Sequence, residues 1–156
     1  MDAGEQKALA DIDRFGCHVI HVAPEGDLPP FSYSVGIQRS AGSPEIVVIG
    51  LKQPLAHSVV NEYNGRIQAG EMFVPGQLYA EFIEGFEVTF EQVEWQFYRE
   101  YFGWDLWLYG GDGFEVLQLV YPTTDGVWPW QPSASEWFRQ WQPLLTTSAV
   151  SPLRYP

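Results

Sequence analysis

Two neighbouring segments, 31–37 and 45–49, carry the clearest strand patterns in the chain. In 31–37 large apolar residues alternate with serine and glycine, which predicts a strand with one buried face and one small, polar face. The segment 45–49 is apolar on both faces after its first residue, as is typical of a central strand covered on both sides. A short polar loop joins the two, so we expect an antiparallel pair. Its face at Ser32 and Ser34 leaves room beside Glu45 for a ligand or a partner.

Helical patterns flank this pair of strands. Asp2 and Glu5 have the spacing of an N-terminal capping box, and the apolar residues that follow predict a helix ending at Gly16. Residues 17–22 are predicted as a strand. Pro54 suits the first turn of a long helix. The apolar stripe of that helix recurs every four residues, at Leu55, Val59, Tyr63 and Ile67.

Strand and helix patterns continue in the second half of the chain. Segment 86–91 alternates between apolar and polar residues, which predicts a strand with one exposed face. The aromatic spacing in 95–102 favours a helix, and 114–121 is a strongly apolar strand. Ser133 and Glu136 have the spacing of a second capping box. This capping box is expected to begin a short helix whose side chains at Trp137, Phe138 and Trp141 face the core.

These elements predict one globular α+β domain over residues 1–145 and a C-terminal tail over 146–156. A chain of 156 residues with 46% hydrophobic residues is long and apolar enough to bury a single core. We expect a mostly antiparallel sheet, with closure into a barrel as an alternative. An N-terminal helix, one long helix after the third strand and a short C-terminal helix complete the prediction.

The chain is strongly acidic, with 20 acidic against 8 basic residues and a net charge of −12. This charge repels phosphate backbones and anionic membranes, so neither nucleic acid nor a membrane is an expected partner. Solubility is the commoner reason for such a charge, and attraction of a basic protein or cationic ligand is the alternative. No apolar run resembles a signal peptide or a membrane span, and a single cysteine forms no internal disulfide. We expect a cytoplasmic protein, either a monomer or a homodimer.

Few residues have the chemistry of a catalytic or metal site. His18 and His21 are three residues apart on a predicted strand, so they point to opposite faces and do not chelate one metal ion. Cys17 is expected to be a small buried hydrophobe rather than a nucleophile. We therefore predict no metal site and no cofactor. His18 is expected at the mouth of a pocket, hydrogen-bonded to Glu45 or Tyr33.

The carboxylate of Glu45 has two interpretations. It begins a central strand directly after a proline, where it either caps the backbone amides of a loop or acts as an acid, a base or a cation ligand. Capping is the favoured interpretation.

All seven tryptophans lie after residue 94, so they form either an aromatic part of the core or a binding surface. Trp128 and Trp130 stand on either side of a proline in a predicted loop, which makes them candidates for an exposed aromatic platform. We expect the strand 114–121 to lie close to the first strand pair. This would bring Gln118 and Trp130 against the small face of the strand 31–37.

Ordered short blocks between residue 15 and about residue 130 resemble the bacterial domain of unknown function 4262. They are FGCH at 15–18, FSYSVG at 31–36, PE at 44–45 with GL at 50–51, QLVYP at 118–122, Gly126, and PW at 129–130. The resemblance implies a small bacterial cytoplasmic α+β protein and brings no established activity. It supports a grouping of His18, Tyr33, Glu45, Gln118 and Trp130.

The chain departs from the pattern of that family at three places. An aromatic residue is usual at Cys17, threonine is usual at Ser34, and Trp-Pro-Asp is usual where this chain has YPT at 121–123. The aspartate that is usual at position 123 is absent, so any role that relies on it would need Asp125 in its place.

Two kinds of function remain open, and the sequence does not decide whether the protein is an enzyme. The first is a non-catalytic binding or accessory protein, antitoxin-like or immunity-like, with a basic partner. The second is a small-molecule-binding protein or enzyme, with a flavin-binding split barrel as one version, although basic residues that would hold a flavin phosphate are scarce. The pocket or partner surface is predicted to contain His18, Tyr33, Ser34, Glu45, Gln118, Trp128 and Trp130.

Overall fold

The computed structural model describes residues 1–146 and shows an α+β fold with one open six-stranded sheet. The strands are β1 (His18–Val22), β2 (Phe31–Val35), β3 (Glu45–Ile49), β4 (Tyr79–Ile83), β5 (Phe86–Gln92) and β6 (Val116–Val120). The helices are α1 (Ala3–Phe15), α2 (Ile37–Ala41), α3 (Gln53–Gln68), α4 (Tyr98–Tyr101), α5 (Gly103–Tyr109) and α6 (Glu136–Trp141), with a 3₁₀ turn at Trp95–Phe97. Of the predicted tail, residues 147–156 lie outside the described residues.

The sheet has the order β1-β2-β3-β6-β5-β4, with β1 and β4 at its edges. All neighbouring strands are antiparallel except β3 and β6, which are parallel. The predicted antiparallel pairing of β2 with β3 and the closeness of β6 to that pair are confirmed. The barrel alternative is wrong, because β1 and β4 do not meet.

Hydrophobic clusters cover both faces of the sheet. On one face Ile46 and Val48 of β3 pack in a cluster with Val59 and Tyr63 of α3. On the other face Val47 belongs to a cluster with side chains of α1, α4 and the loop before α5. Every residue of β3 and β6 is buried, which explains why both strands are apolar on both faces.

The ends of α1 follow the sequence prediction. The side chain of Asp2 accepts a hydrogen bond from the amide of Glu5, and the side chain of Glu5 accepts one from the amide of Asp2. Gly16 ends the helix with a positive φ of 92°, which glycine adopts without a steric penalty. The capping box and the glycine cap are therefore confirmed.

The loop between β2 and β3 is more ordered than its polar sequence predicts. The strand pattern of 31–37 ends at Val35, and Gly36 turns the chain into the short helix α2. The predicted exposed face of β5 is also wrong in part, because Thr89 and Glu91 are buried. The hydroxyl of Thr89 donates a hydrogen bond to the carbonyl of Gln77, so the segment before β4 lies against this part of the predicted exposed face.

Three predictions of helix faces and helix ends are wrong in detail. Leu55 is 39% exposed, because steps of four residues drift around a helix that has about 3.6 residues per turn. The N-cap of α6 is Ser135 rather than Ser133, and this shift leaves Trp137 63% exposed while Phe138 is buried. Segment 95–102 forms the 3₁₀ turn and α4, not one continuous helix.

Candidate functional site

A chain of three polar side chains runs from the interior of the sheet to the surface at the edge strand β1. Ser32 on β2 lies opposite His21 on β1, and Ser32 Oγ is 2.6 Å from His21 Nδ1. His21 Nε2 is 3.1 Å from Nδ1 of His57, which α3 presents beside the edge of the sheet. Ser32 is only 3% exposed whereas His57 is exposed. We call these three residues the His21 chain.

The His21 chain can be hydrogen-bonded in either direction. In one arrangement Ser32 donates to His21 Nδ1 and the Nε2–H of His21 donates to His57; in the other every donor is reversed. Burial lowers the pKa of His21, and the nearby rings of His57 and His18 lower it further. The imidazole of His21 is therefore neutral near pH 7, with one nitrogen that donates and one that accepts.

Two surface clefts meet at His21. The α1 cleft lies between α1, β1 and α3 and has a volume of about 390 Å³. Its polar lining consists of Lys7, Asp11, His18, His21, His57 and Asn61. The α6 cleft lies between the end of β1, the start of α3 and α6, with a volume of about 450 Å³. Its lining includes His21, Ser32, Lys52, Gln53, Leu51 and Trp141.

Another cleft of about 450 Å³ lies on the β4–β5 hairpin. Its lining contains Glu81, Glu84 and Glu87 but no histidine, hydroxyl or basic side chain. Histidine, hydroxyl and basic side chains line the clefts at β1 and not this cleft, so the two clefts at His21 are the candidate site.

His18 lies on the α1 side of β1. Its Nδ1 is 2.8 Å from Asp11 Oδ2, and the same oxygen is 3.0 Å from Lys7 Nζ. Slight burial acts to raise the pKa of Asp11, but the hydrogen bonds from His18 and Lys7 outweigh it and hold this pKa below its ordinary value. The predicted hydrogen bond from His18 to Glu45 or Tyr33 is not formed. Asp11 of α1 is the partner of His18, while Glu45 and Tyr33 bond to other groups.

Cys17 lines the α1 cleft but is almost fully buried. Burial raises its pKa to about 12, and the charge of Glu45 contributes to the rise. A thiol with this pKa is not ionised at neutral pH, which agrees with the prediction that Cys17 acts as a small hydrophobe.

Glu45 organises the turn into α2. Its carboxylate accepts hydrogen bonds from the backbone amides of Gly36, Ile37 and Gln38 at 3.0–3.2 Å. The hydroxyl groups of Ser34 and Tyr109 also donate to it. The capping interpretation is confirmed, and it explains why a glutamate stands at the start of a fully buried strand.

The remaining predicted residues lie apart from the His21 chain. The hydroxyl of Tyr33 accepts a hydrogen bond from the amide of Trp104 on the face opposite to Ser32. Gln118 pairs with Val47 across the sheet, and its amide group bonds to the backbone of Pro143 and Leu145. Gln118 is thus on the face of Tyr33, so the prediction that it faces Ser32 is wrong.

Trp128 and Trp130 stack on each other, with ring centroids 5.1 Å apart and planes inclined by 10°. Both are half-buried in the loop after β6, and Arg139 of α6 holds this loop through the carbonyl of Pro129. The structure therefore joins Ser34 with Glu45 and Trp128 with Trp130, but it does not gather all seven predicted residues at one site.

The sequence pattern places Ser32 on a small strand face with room for a ligand, but it misses the hydrogen bond between Ser32 and His21 and the pairing of His21 with His57. The alternation of side chains along β1 and β2 could have placed Ser32 opposite His21, but the 34 residues between β1 and His57 give no local signal that α3 returns to this edge.

Comparison with known proteins gives a family but no activity. No curated protein and no solved structure matches this chain significantly. A family model described as a domain of unknown function (DUF4262) matches residues 11–135. That range includes the whole sheet and all three residues of the His21 chain. The chain belongs to the DUF4262 family.

Proposed function

We propose that this protein binds a small organic anion in the α6 cleft, with the His21 chain at one side of the anion. The observation that supports this most is the continuous contact from buried Ser32 through His21 to exposed His57. A serine hydroxyl that only needed a partner in the core would be satisfied by His21 alone. The second histidine extends the polar path to solvent at the point where both clefts meet.

The start of α3 gives the α6 cleft a preference for negative charge. Lys52 and Gln53 line the cleft, and no side chain in the described part of the protein caps the first turn of this 16-residue helix. Its unpaired amide groups and the positive end of the helix dipole favour an anion, as does the ammonium group of Lys52. A carboxylate or phosphate is therefore the expected polar group of the ligand.

The opposite wall of the cleft favours an apolar or aromatic group. Trp141, Leu51 and Pro30 contribute to this wall. The indole Nε1 of Trp141 donates to the carbonyl of Gly50 at 3.0 Å, which fixes the ring at the mouth of the cleft. A ligand that joins an aromatic ring to an anionic group would therefore suit both kinds of lining in this cleft.

The proposal is tested by titrating benzoate and phenyl phosphate into the ¹⁵N-labelled protein. We expect the largest shifts at the amides of Lys52 and Gln53 and at the indole N–H of Trp141. Lys52→Ala should weaken binding about twofold to fivefold, as is typical of an exposed ion pair. Ser32→Ala should weaken it about tenfold, the effect of losing one hydrogen bond.

Lys7→Ala is the matched control, because it removes the same charge from the α1 cleft. It should leave the affinity for both probes unchanged. Shifts that are spread over the surface, or a loss in Lys7→Ala equal to that in Lys52→Ala, would count against an anion site in the α6 cleft.

A further inference from the structure

We propose that His21 Nε2 and His57 Nδ1 together bind a divalent transition-metal ion of the Zn²⁺ class where the two clefts meet. Metal binding by these two histidines does not depend on anion binding in the α6 cleft, although a bound ion would add a positive charge there.

The distance between the two nitrogens suits shared coordination. They are 3.1 Å apart. Two imidazole nitrogens about 2.0–2.1 Å from one ion are about 3.3 Å apart in tetrahedral geometry and about 2.9 Å apart in octahedral geometry. The observed separation lies between these values. The ring centroids are 5.3 Å apart, so the two nitrogens point almost straight at each other, and binding an ion requires the exposed ring of His57 to turn.

Ser32 provides the support that histidine ligands normally have. When His21 Nδ1–H donates to Ser32 Oγ, the lone pair of Nε2 points towards His57. Ser32 is nearly fully buried, and this restricts the orientation of the hydroxyl that holds the ring.

Both ligands stand on rigid elements and are accessible. His21 belongs to β1, His57 belongs to α3, and these elements pack against the same hydrophobic cluster. His57 is exposed, which gives an ion a path from solvent. Asn61 is four residues after His57 on α3 and lines the same cleft, so it stands on the same side of the helix.

The site would keep open coordination positions. Within residues 1–146 no group of three or more His, Cys, Asp or Glu side chains is arranged to hold a metal ion. The remaining positions would be filled by water or by a ligand bound in the clefts, as in metal sites that act on substrates. A direct hydrogen bond between the two rings is the arrangement expected when no ion is bound.

The test is calorimetric titration of the tag-free protein with ZnCl₂ alone, without any organic anion. We expect one saturable site per chain. His21→Ala and His57→Ala should each weaken it at least about tenfold, and Ser32→Ala should weaken it about tenfold through the lost support of His21. His18→Ala is the matched control, because it removes a histidine from the same cleft and should change the affinity less than twofold.

Absence of a saturable site, or equal losses in His18→Ala and His57→Ala, would overturn the proposal. If a variant fails to fold, the wild-type protein decides the question through the ¹⁵N shifts of its imidazoles. Zn²⁺ should move His21 Nε2 and His57 Nδ1, and unchanged shifts at both would contradict the site. The benzoate titration involves no metal, so failure of one proposal is distinguishable from failure of the other.

Discussion

Two buried carboxyl groups, those of Glu45 and Asp105, lie near each other on one side of the sheet. They differ strongly in the hydrogen bonds that they accept. Glu45 accepts hydrogen bonds from three backbone amides and two hydroxyl groups. Neither oxygen of Asp105 accepts a hydrogen bond of normal geometry among residues 1–146, although its residue is fully buried, and only a weak interaction with the backbone amide of Gly36 acts to lower its pKa. Burial and the charge of Glu45 both raise the pKa of Asp105 well above its ordinary value. Burial also raises the pKa of Glu45, but its hydrogen bonds from amides and hydroxyl groups oppose that rise. We infer that Asp105 retains its proton in the folded protein while Glu45 is the anion.

The proton on Asp105 makes the free energy of unfolding depend on pH. Because the folded pKa is raised, the folded state binds more protons than the unfolded state above the ordinary value of 3.8. Stability should therefore fall as pH rises from about 4 towards the raised pKa, by about 1.4 kcal/mol per pH unit from this group. Asp105→Asn keeps the shape but cannot ionise, so it should remove this slope and become more stable than wild type as pH rises.

Urea denaturation of wild type and Asp105→Asn at several pH values between 5 and 8 measures the effect. Asp112→Asn is the control, since Asp112 is an exposed residue in the turn before β6. A difference between wild type and Asp105→Asn that stays constant with pH would mean that Asp105 is ionised in the fold.

At the scale of elements, the junction between β3 and α3 is fixed by α6 and by the residue after β6. Gly50 has a φ of 91°, and its carbonyl accepts a hydrogen bond from the indole of Trp141. The hydroxyl of Tyr121 donates to the carbonyl of Ile49 at 2.7 Å. The wall of the α6 cleft thus depends on close contact between the backbone at Gly50 and α6.

Gly50→Ala should disrupt this junction. A Cβ atom at Gly50 would lie 2.6 Å from Tyr121 Oη and 2.8 Å from the backbone oxygen of Trp141, and that backbone oxygen cannot rotate away. Gly126→Ala is the control, because Gly126 also has a positive φ but no atom within 4 Å of the added Cβ. We expect Gly126→Ala to cost about 1–2 kcal/mol for the left-handed backbone. Gly50→Ala should cost about 1–3 kcal/mol more because of overpacking.

Chemical denaturation of both variants gives the comparison, and the fluorescence of the tryptophans reports movement of Trp141. Equal losses of stability in the two variants would show that backbone strain alone, and not contact with α6, explains the glycine at position 50.

Elements that depend on local pattern could be predicted from the sequence. The capping box at Asp2, the apolar segment of β3 and the role of Glu45 as a backbone cap need only a few neighbouring residues. The exposed face of β5 could not be predicted correctly, because burial of Thr89 depends on a contact with the segment before β4, at Gln77. The His21 chain joins β1, β2 and α3, so it depends on the order of the whole sheet.

At the scale of the whole molecule, the net charge of −12 is the most prominent property. Within the described residues no helix is long and apolar enough to cross a membrane. The ion pairs Lys7–Asp11 and Arg66–Glu71 neutralise only a small part of the acidic surface. Binding of a basic protein, with the accessory role that the charge suggests, stays a prediction. The association of a basic protein with the acidic surface should weaken as salt is added, because salt screens attraction between exposed charges.

The same charge should destabilise the folded protein by itself. Exposed like charges repel one another more strongly in the compact state than in the unfolded chain, and salt reduces the repulsion. The screening length falls from about 30 Å at 0.01 M salt to about 8 Å at 0.15 M. The melting temperature at pH 7 should therefore rise with NaCl over this range, by about 2–4 °C if screening contributes about 1 kcal/mol.

Repeating the salt series near the isoelectric point of about 4.4 provides the control, because the repulsion is nearly absent there. The melting temperature should then be almost independent of salt. The pH dependence of the free energy of unfolding that Asp105 causes should not change with NaCl, since buried groups are screened much less than exposed ones. A melting temperature that falls with salt at pH 7 would mean that attractive surface ion pairs outweigh the repulsion. In that case the acidic surface would be internally compensated and would have little field left to attract a basic partner.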